Sequence, residues 1–182
     1  MIFADLPPNL PEPVACCIEA AQDYGLQPAV FLSVAQAEDG QAGLWVKNGN
    51  KTFDVGAMQF NTAYLDSLKP YGITPEAVEV SGCYPYKLAA WRIAGHLKND
   101  KGDYWSRVAN YHSRTPTLNL KYQARLLDFF KAWTNWFNNP SAPLPWVGKT
   151  ALKESRKVIS RKPVKPEKPI LSFEDYLKSK GF

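Results

Sequence analysis

The chain has 182 residues, of which 45% are hydrophobic and 13% are aromatic, enough for one domain with a sizeable core. It contains no apolar run of about 18 residues, so the sequence predicts no transmembrane helix. Residues 1–14 lack the basic start and the long apolar stretch of a secretory signal peptide.

The formal net charge of +5 comes mainly from one segment near the C-terminus. Residues 149–168 hold eight of the 22 Lys and Arg and two of the 17 acids, which leaves 14 basic and 15 acidic residues elsewhere. This segment also carries two prolines, Pro163 and Pro166, with a third directly after it at Pro169, and few apolar residues. We predict a Pro/Lys/Arg-rich flexible tail over residues 140–182, with a short terminal helix at 172–182. We interpret the tail as a solvated spacer rather than a nucleic-acid contact.

The predicted domain is mainly helical and contains one small β element. Apolar periodicity, prolines at helix starts and glycines at helix ends predict helices at 13–24, 28–39, 61–69, 84–99, 103–112 and 117–137. Asn48-Gly49 is a strong hairpin-turn signal, so we predict a β-ribbon over residues 45–55. Several prolines follow residue 139, and we therefore place the domain at 14–139, after an extension at 1–13.

Glu38 is the candidate residue for chemistry. It shares one face of the second predicted helix with Phe31 and Ala35, at i, i+4 and i+7. Burial among apolar side chains raises the pKa of a carboxyl, and a carboxylic acid that is protonated near neutral pH is what a glycosidase needs to protonate a leaving oxygen. Taken alone, residue 38 is better explained as a solvated or salt-bridged glutamate, and the catalytic interpretation needs further support.

The loop after the predicted ribbon adds to that support. Gly56 suits a tight bend, and Met58 is most simply a core side chain. Gln59 carries both donors and acceptors, so it can hold either a sugar N-acetyl group or the catalytic carboxyl.

Cysteine and histidine usage points to no metal and no cofactor. The three cysteines, Cys16, Cys17 and Cys83, leave one thiol over if a disulfide forms, and composition does not choose between a bridge and reduced thiols. The two histidines, His96 and His112, have no ligand-like spacing with the cysteines.

Three segments, in this order, resemble the motifs of soluble-type lytic transglycosylases. They are Glu38-Asp39, the run from Asp54 to Asn61, and Ala109-Asn110-Tyr111-His112-Ser113. The variant run from Tyr111 to Pro116, with Tyr122 after it, resembles the branch of that family associated with conjugation and type IV secretion. The resemblance covers roughly residues 14–135.

The resemblance implies a mainly α (α+β), lysozyme-like fold with a small β-hairpin after the catalytic helix. It also implies cleavage of the β-1,4 bond between N-acetylmuramic acid and N-acetylglucosamine in peptidoglycan, with a 1,6-anhydro product. Glu38 would act first as acid and then as base. The residues implied to support the acid or bind sugar are Gln59, Met58, Asn61, Tyr111, Tyr122 and Ser113.

The same resemblance implies a Cys17–Cys83 disulfide, a periplasmic location and, through the basic tail, contact with secretion or conjugation machinery. The periplasmic location rests on the substrate, since the chain shows no signal peptide. Two alternatives stay open: a non-catalytic peptidoglycan-binding or assembly module, and a hydrolytic, lysozyme-like endolysin.

Four positions depart from the family pattern. Asp39 stands where Ser is usual, Ala57 where Leu is commoner, and His112-Ser113 where Asn-Ser or Asn-Ala is usual. Asp39 would either raise the pKa of Glu38 by repulsion or point to solvent. Asp54 is a candidate second carboxylate, for which we favour a structural or substrate-binding role.

Overall fold

A computed structural model describes residues 6–148. Within them the chain forms seven α-helices and a small antiparallel sheet, which confirms the mainly helical prediction. In chain order the elements are α1 Glu12–Asp23, α2 Pro28–Glu38, β1 Trp45–Lys47, β2 Phe53–Val55, β3 Phe60–Asn61, α3 Thr62–Leu68, a 3-10 turn Lys69–Tyr71, α4 Pro75–Val78, α5 Tyr84–Asn99, α6 Tyr104–Ala109 and α7 Pro116–Asn138. The terminal helix predicted at 172–182 lies outside the described residues.

The sheet has three strands in the order β1-β2-β3, one more than the predicted ribbon. Trp45 pairs with Val55, and Asp54 pairs with Asn61. The hairpin around Asn48-Gly49 is therefore confirmed. The third strand and α4 were not predicted, because elements of two and four residues are too short to show a periodicity. The helix predicted at 103–112 ends at Ala109, before a turn.

Helix α2 is the central rod of the fold. Pro28 begins it, in the position where a missing N–H costs no hydrogen bond, and all residues from 29 to 35 are buried. It packs against α1 on one side and α7 on the other. Trp133 of α7 is fully buried and donates from Nε1 to Oε1 of Gln36 at 2.9 Å. Glu38, the last residue of α2, is thereby placed at the end of a rigid element.

The disulfide joins Cys16 to Cys83, so the predicted Cys17–Cys83 pairing is wrong. Successive residues of an α-helix point about 100° apart, so only one of the two neighbouring cysteines on α1 faces the start of α5. Cys16 has that direction, and its Cα lies 4.8 Å from that of Cys83. Cys17 is a free thiol and completely buried. Burial raises the pKa of the Cys17 thiol well above its ordinary value.

Residues 140–148, which we call the strap, return to the domain after α7. Ala142, Leu144 and Trp146 pack against the core, and the carbonyl of Ala142 accepts a hydrogen bond of 3.1 Å from Nε1 of Trp136. The part of the predicted tail that the structure describes is therefore packed on the domain. Residues 149–182 lie outside the described part of the chain. None of the helices within residues 6–148 is long and apolar enough to cross a membrane.

Candidate active site

The Glu38 carboxyl is bonded to a residue of α7, one of the two helices against which α2 packs. Tyr122 of α7 donates from its hydroxyl to Oε1 of Glu38 at 2.5 Å. Tyr122 is buried, and its ring position is fixed by the core of the α2–α7 contact. Glu38 itself is half-buried, at the end of an apolar helix.

The pKa of Glu38 is raised to about 7, mainly because burial disfavours the charged carboxylate. The hydrogen bond from Tyr122 and the positive charges of Arg125 and Arg92 oppose this rise, whereas the charge of Asp54 adds to it. Glu38 is therefore poised between its acid and its carboxylate near neutral pH. A group with such a pKa transfers protons in both directions at little cost.

The turn that follows Glu38 packs directly on the loop at 56–59. A Cβ on Gly40 would lie 2.3 Å from the carbonyl oxygen of Gly56 and 2.7 Å from that of Ala57. Only glycine allows this approach of two backbone segments. Gly40 therefore fixes the distance between the acid and the loop, which joins β2 to β3.

The loop itself has a constrained backbone. Gly56 has φ +73° and lies against the carbonyl of Val78, and Gln59 has φ +49°, in the left-handed region. Nε2 of Gln59 donates to the carbonyl of Gly56 at 2.8 Å. Within the described residues Gln59 thus stabilises its own loop and makes no hydrogen bond to Glu38. Met58, for which the resemblance implied a supporting or sugar-binding role, is completely buried, as the simpler prediction of a core side chain had it, because the turn directs this apolar side chain into the core.

Asp54 and Asn61 form a pair across β2 and β3. Nδ2 of Asn61 donates to Oδ1 of Asp54 at 2.8 Å and to Oγ1 of Thr52 at 2.9 Å. Oδ1 of Asn61 accepts from the backbone N–H of Ala63 and so caps α3. Asn61 is thus a structural residue that orients the Asp54 carboxylate, and Asp54 in turn acts on Glu38 through its charge.

Tyr111 connects the loop to the helical half of the molecule. It is buried, and its hydroxyl donates to the carbonyl of Met58 at 2.7 Å. The guanidinium of Arg92 lies over two aromatic rings, 4.0 Å from the centre of the Tyr64 ring and 4.7 Å from that of Tyr111. Such cation–π contacts hold a cation without neutralising it. Arg92 therefore keeps a positive charge close enough to act on Glu38.

A polar network fixes the segment that carries Tyr111. Asp100 accepts from Nδ2 of Asn110 at 2.8 Å and from Arg114 at 3.1 Å. Nδ2 of the buried Asn119 donates to Oδ1 of Asn110 and to the carbonyl of Ser113. Oγ of Ser113 accepts from the N–H of Thr115 at the start of α7. In this structure Ser113 therefore closes a turn.

His112 is an exposed ring that lies against the tyrosine bonded to Glu38. It stacks on Tyr122 with ring centres 4.7 Å apart and an interplanar angle of 8°. Burial of one ring face lowers the pKa of His112, and Arg125 lowers it further, while Asp54 opposes the shift. His112 covers the tyrosine that donates to Glu38 and presents its other face outward.

The structure brings the three predicted segments together around Glu38, from α2, from the β2–β3 loop and from the turn before α7. Five residues in or beside the site were not predicted: Arg92, Asp100, Asn119, Arg125 and Trp146, which donates a hydrogen bond to Asp39. Arg92 and Arg125 lie on the faces of long helices, where charged residues are ordinarily solvated. Asn119 has the clearest signal, since an asparagine inside a helix is intrinsically disfavoured and often has a specific partner.

Among residues 6–148, no group of three or more His, Cys, Asp or Glu side chains is arranged to hold a metal ion. No protein-family model matches the sequence, and no curated protein is detectably similar to it.

Proposed function

We propose that this protein is a lytic transglycosylase with a lysozyme-like fold, which cleaves the glycan strands of peptidoglycan. The observation that carries the proposal is the Glu38 carboxyl: a half-buried acid at the end of a helix, bonded to Tyr122 at 2.5 Å, with a pKa of about 7. The order of the three motifs and the three-stranded sheet after α2 support it.

In the proposed reaction Glu38 first gives its proton to the glycosidic oxygen as the bond from that oxygen to the muramyl C1 breaks. The resulting carboxylate then takes the proton of the muramyl C6 hydroxyl while that oxygen bonds to C1, which closes the anhydro ring. No water is consumed, and Glu38 ends protonated as it began. The developing positive charge on the sugar is of the kind that a nearby carboxylate such as Asp54 stabilises.

Each neighbour has a part in this cycle. The Tyr122 hydroxyl stabilises the carboxylate that forms after the first step, since a hydrogen bond to a charged group is stronger than one to a neutral group. Arg92 and Arg125 favour the same charged state. The pKa of about 7 keeps the carboxyl protonated often enough to begin the reaction.

Hydrolysis of the same bond is a second candidate, and Asp54 is the observation that favours it. Asp54 is oriented by Asn61 and acts on Glu38 through its charge, as a second carboxylate of a glycosidase would. Its hydrogen bonds within the sheet favour a structural or charge-stabilising role instead.

The Cys16–Cys83 disulfide supports an oxidising compartment, and the periplasm, where peptidoglycan lies, is the location that we propose. Local opening of the wall for a secretion or conjugation apparatus is the role that we propose there.

Release of soluble fragments from purified sacculi tests the cleavage. The wild-type protein should release them, and Glu38→Gln, which keeps the shape but not the acid, should be slower by roughly 10²-fold or more. Glu76→Gln, on the exposed face of α4, is the matched control and should behave as the wild type. Equal release by wild type and Glu38→Gln would contradict the role of Glu38. No release by any of the proteins would favour the non-catalytic module.

A further inference from the structure

The strap reaches back to the residue beside the proposed acid. Nε1 of Trp146 donates to Oδ1 of Asp39 at 3.0 Å, and both residues are half-buried. The strap is also held beyond Trp146, since a Cβ on Gly148 would lie 2.5 Å from Cγ of Pro13. Trp146 is therefore fixed on a packed segment and does not project from a loose end.

Asp39 is the residue at which α2 ends, and its backbone is unfavourable for most side chains. It has φ 45°, in the left-handed region, and its N–H donates to the carbonyl of Ala35 at 3.0 Å. Asp adopts this region more readily than most residues, but at a cost relative to glycine. A side-chain hydrogen bond from Trp146 stabilises the conformation that Asp39 must hold.

We propose that Asp39 and Trp146 are positioning residues for Glu38, so that the strap is part of the catalytic unit. The importance of Glu38 rests on the proposed function, whereas the contact between the strap and α2 does not. Glu38 and Asp39 share a peptide unit, so a change in the backbone of Asp39 disturbs the last turn of α2, which carries the Glu38 side chain. Without the Trp146 contact the last turn of α2 is free to open, and water gains access to the carboxyl.

With the strap, three parts of the chain hold the end of α2 that carries Glu38. Tyr122 holds the carboxyl from α7, Gly40 packs the following turn on the 56–59 loop, and Trp146 holds the residue between them. This explains how a chain with Asp at position 39 orders its acid: the carboxylate accepts a bond from a residue more than a hundred positions away. The charged groups that act on Glu38 are Arg92, Arg125 and Asp54, all on other elements.

Direct titration of the Glu38 carboxyl by carbon-13 NMR tests the inference. In Trp146→Phe and in Asp39→Ala the pKa of Glu38 should fall from about 7 toward its ordinary value, by roughly 0.5 to 1, because burial is the main cause of its elevation. Asp39→Asn retains an acceptor oxygen and should titrate as the wild type. An unchanged Glu38 pKa in both Trp146→Phe and Asp39→Ala would overturn the inference. A Glu38 pKa that falls as far in Asp39→Asn as in Asp39→Ala would also overturn it.

Trp45→Phe is the matched control. It removes another indole-to-carboxylate hydrogen bond, from Trp45 to Glu79, and leaves the bond from Trp146 to Asp39 in place. Its Glu38 pKa should equal that of the wild type, and a fall as large as that in Trp146→Phe would overturn the inference. The titration needs no substrate, so it gives its answer whether or not the protein cleaves peptidoglycan. Failure of the positioning role and failure of the proposed function are therefore told apart.

Discussion

At the scale of single residues, the site consists of one carboxyl and the groups that set its proton affinity. Burial raises the pKa of Glu38, while Tyr122, Arg125 and Arg92 keep the rise within bounds. The apolar helix face predicted a raised pKa from sequence. The partners were not predictable from local sequence, because Arg92 and Tyr122 are separated from Glu38 by more than fifty positions and are brought close only by packing.

The raised pKa of Glu38 gives the stability of the protein a defined pH dependence. The carboxyl of the folded protein keeps its proton up to a pKa of about 7, above the ordinary value of 4.5. The stabilisation of the fold by this bound proton is therefore fully present below about pH 4.5 and is lost as pH rises through 7. Glu38→Gln lacks this titration. The free energy of unfolding of the variant minus that of the wild type should therefore rise by up to about 3 kcal/mol from about pH 4 to pH 8. Urea denaturation at both pH values measures this, and a constant difference would contradict it.

Removal of the Tyr122 hydroxyl should shift the dependence of activity on pH toward higher pH. Its hydrogen bond lowers the pKa of Glu38, so Tyr122→Phe should raise that pKa and reduce activity by roughly 10- to 100-fold, since the lost bond is one to a charged group. The rate of sacculus solubilisation against pH measures both effects. Tyr104→Phe, at an exposed tyrosine on α6, should leave profile and rate unchanged. A Tyr122→Phe profile identical to that of wild type would contradict the role of the hydroxyl.

At the scale of elements, the site depends on two backbone segments in direct contact. The end of α2 meets the β2–β3 loop at Gly40, and the loop meets Val78 at Gly56. Helices α2, α5 and α7 and the hairpin were predictable, because each has a long apolar periodicity or a strong turn dipeptide. The loop contacts were not, since they depend on which glycines face another backbone.

A methyl group on Gly40 should therefore loosen the site. In Gly40→Ala the new Cβ would lie 2.3 Å and 2.7 Å from the carbonyl oxygens of Gly56 and Ala57. Because these oxygens belong to the backbone, the whole loop has to shift to relieve the clash. We expect a loss of about 1–3 kcal/mol in the free energy of unfolding, together with a loss of activity. Gly95→Ala is the control: it lies within α5, and its Cβ would meet nothing within 4 Å.

Gly95→Ala should stabilise the protein by about 0.5–1 kcal/mol, because alanine has less backbone entropy to lose in a helix. Denaturant midpoints of the two variants measure the contrast. A Gly40→Ala variant as stable as wild type would show that the loop is not packed as described.

At the scale of the whole molecule, the chain is held by links that are distant in sequence. The disulfide joins α1 to the start of α5 across 67 positions, and the strap joins the end of α7 to α2. A bridge between the first helix and Cys83 was predictable from the resemblance, but the cysteine involved was not, because that depends on how α1 is rotated about its axis. The packing of the strap on the domain was not predicted, because prolines ordinarily mark the end of a domain.

The two neighbouring cysteines should behave oppositely on substitution. Cys16→Ala opens the disulfide and should cost about 4 kcal/mol by the chain-entropy model, whereas Cys17→Ala leaves it closed. Thiol counts on denatured, non-reduced protein should give one thiol for wild type, none for Cys17→Ala and two for Cys16→Ala. Two thiols in Cys17→Ala would restore the Cys17–Cys83 pairing.

The mass of the released glycan ends tests the central claim most directly. If Glu38 serves as acid and then as base on the C6 hydroxyl, muropeptides released by the wild-type protein carry 1,6-anhydro ends and are lighter by one water than hydrolytic products. Mass spectrometry of those ends separates the two outcomes. We expect anhydro ends from wild type and no such release from Glu38→Gln. Reducing ends from the wild type would contradict transglycosylation and favour hydrolysis of the same bond.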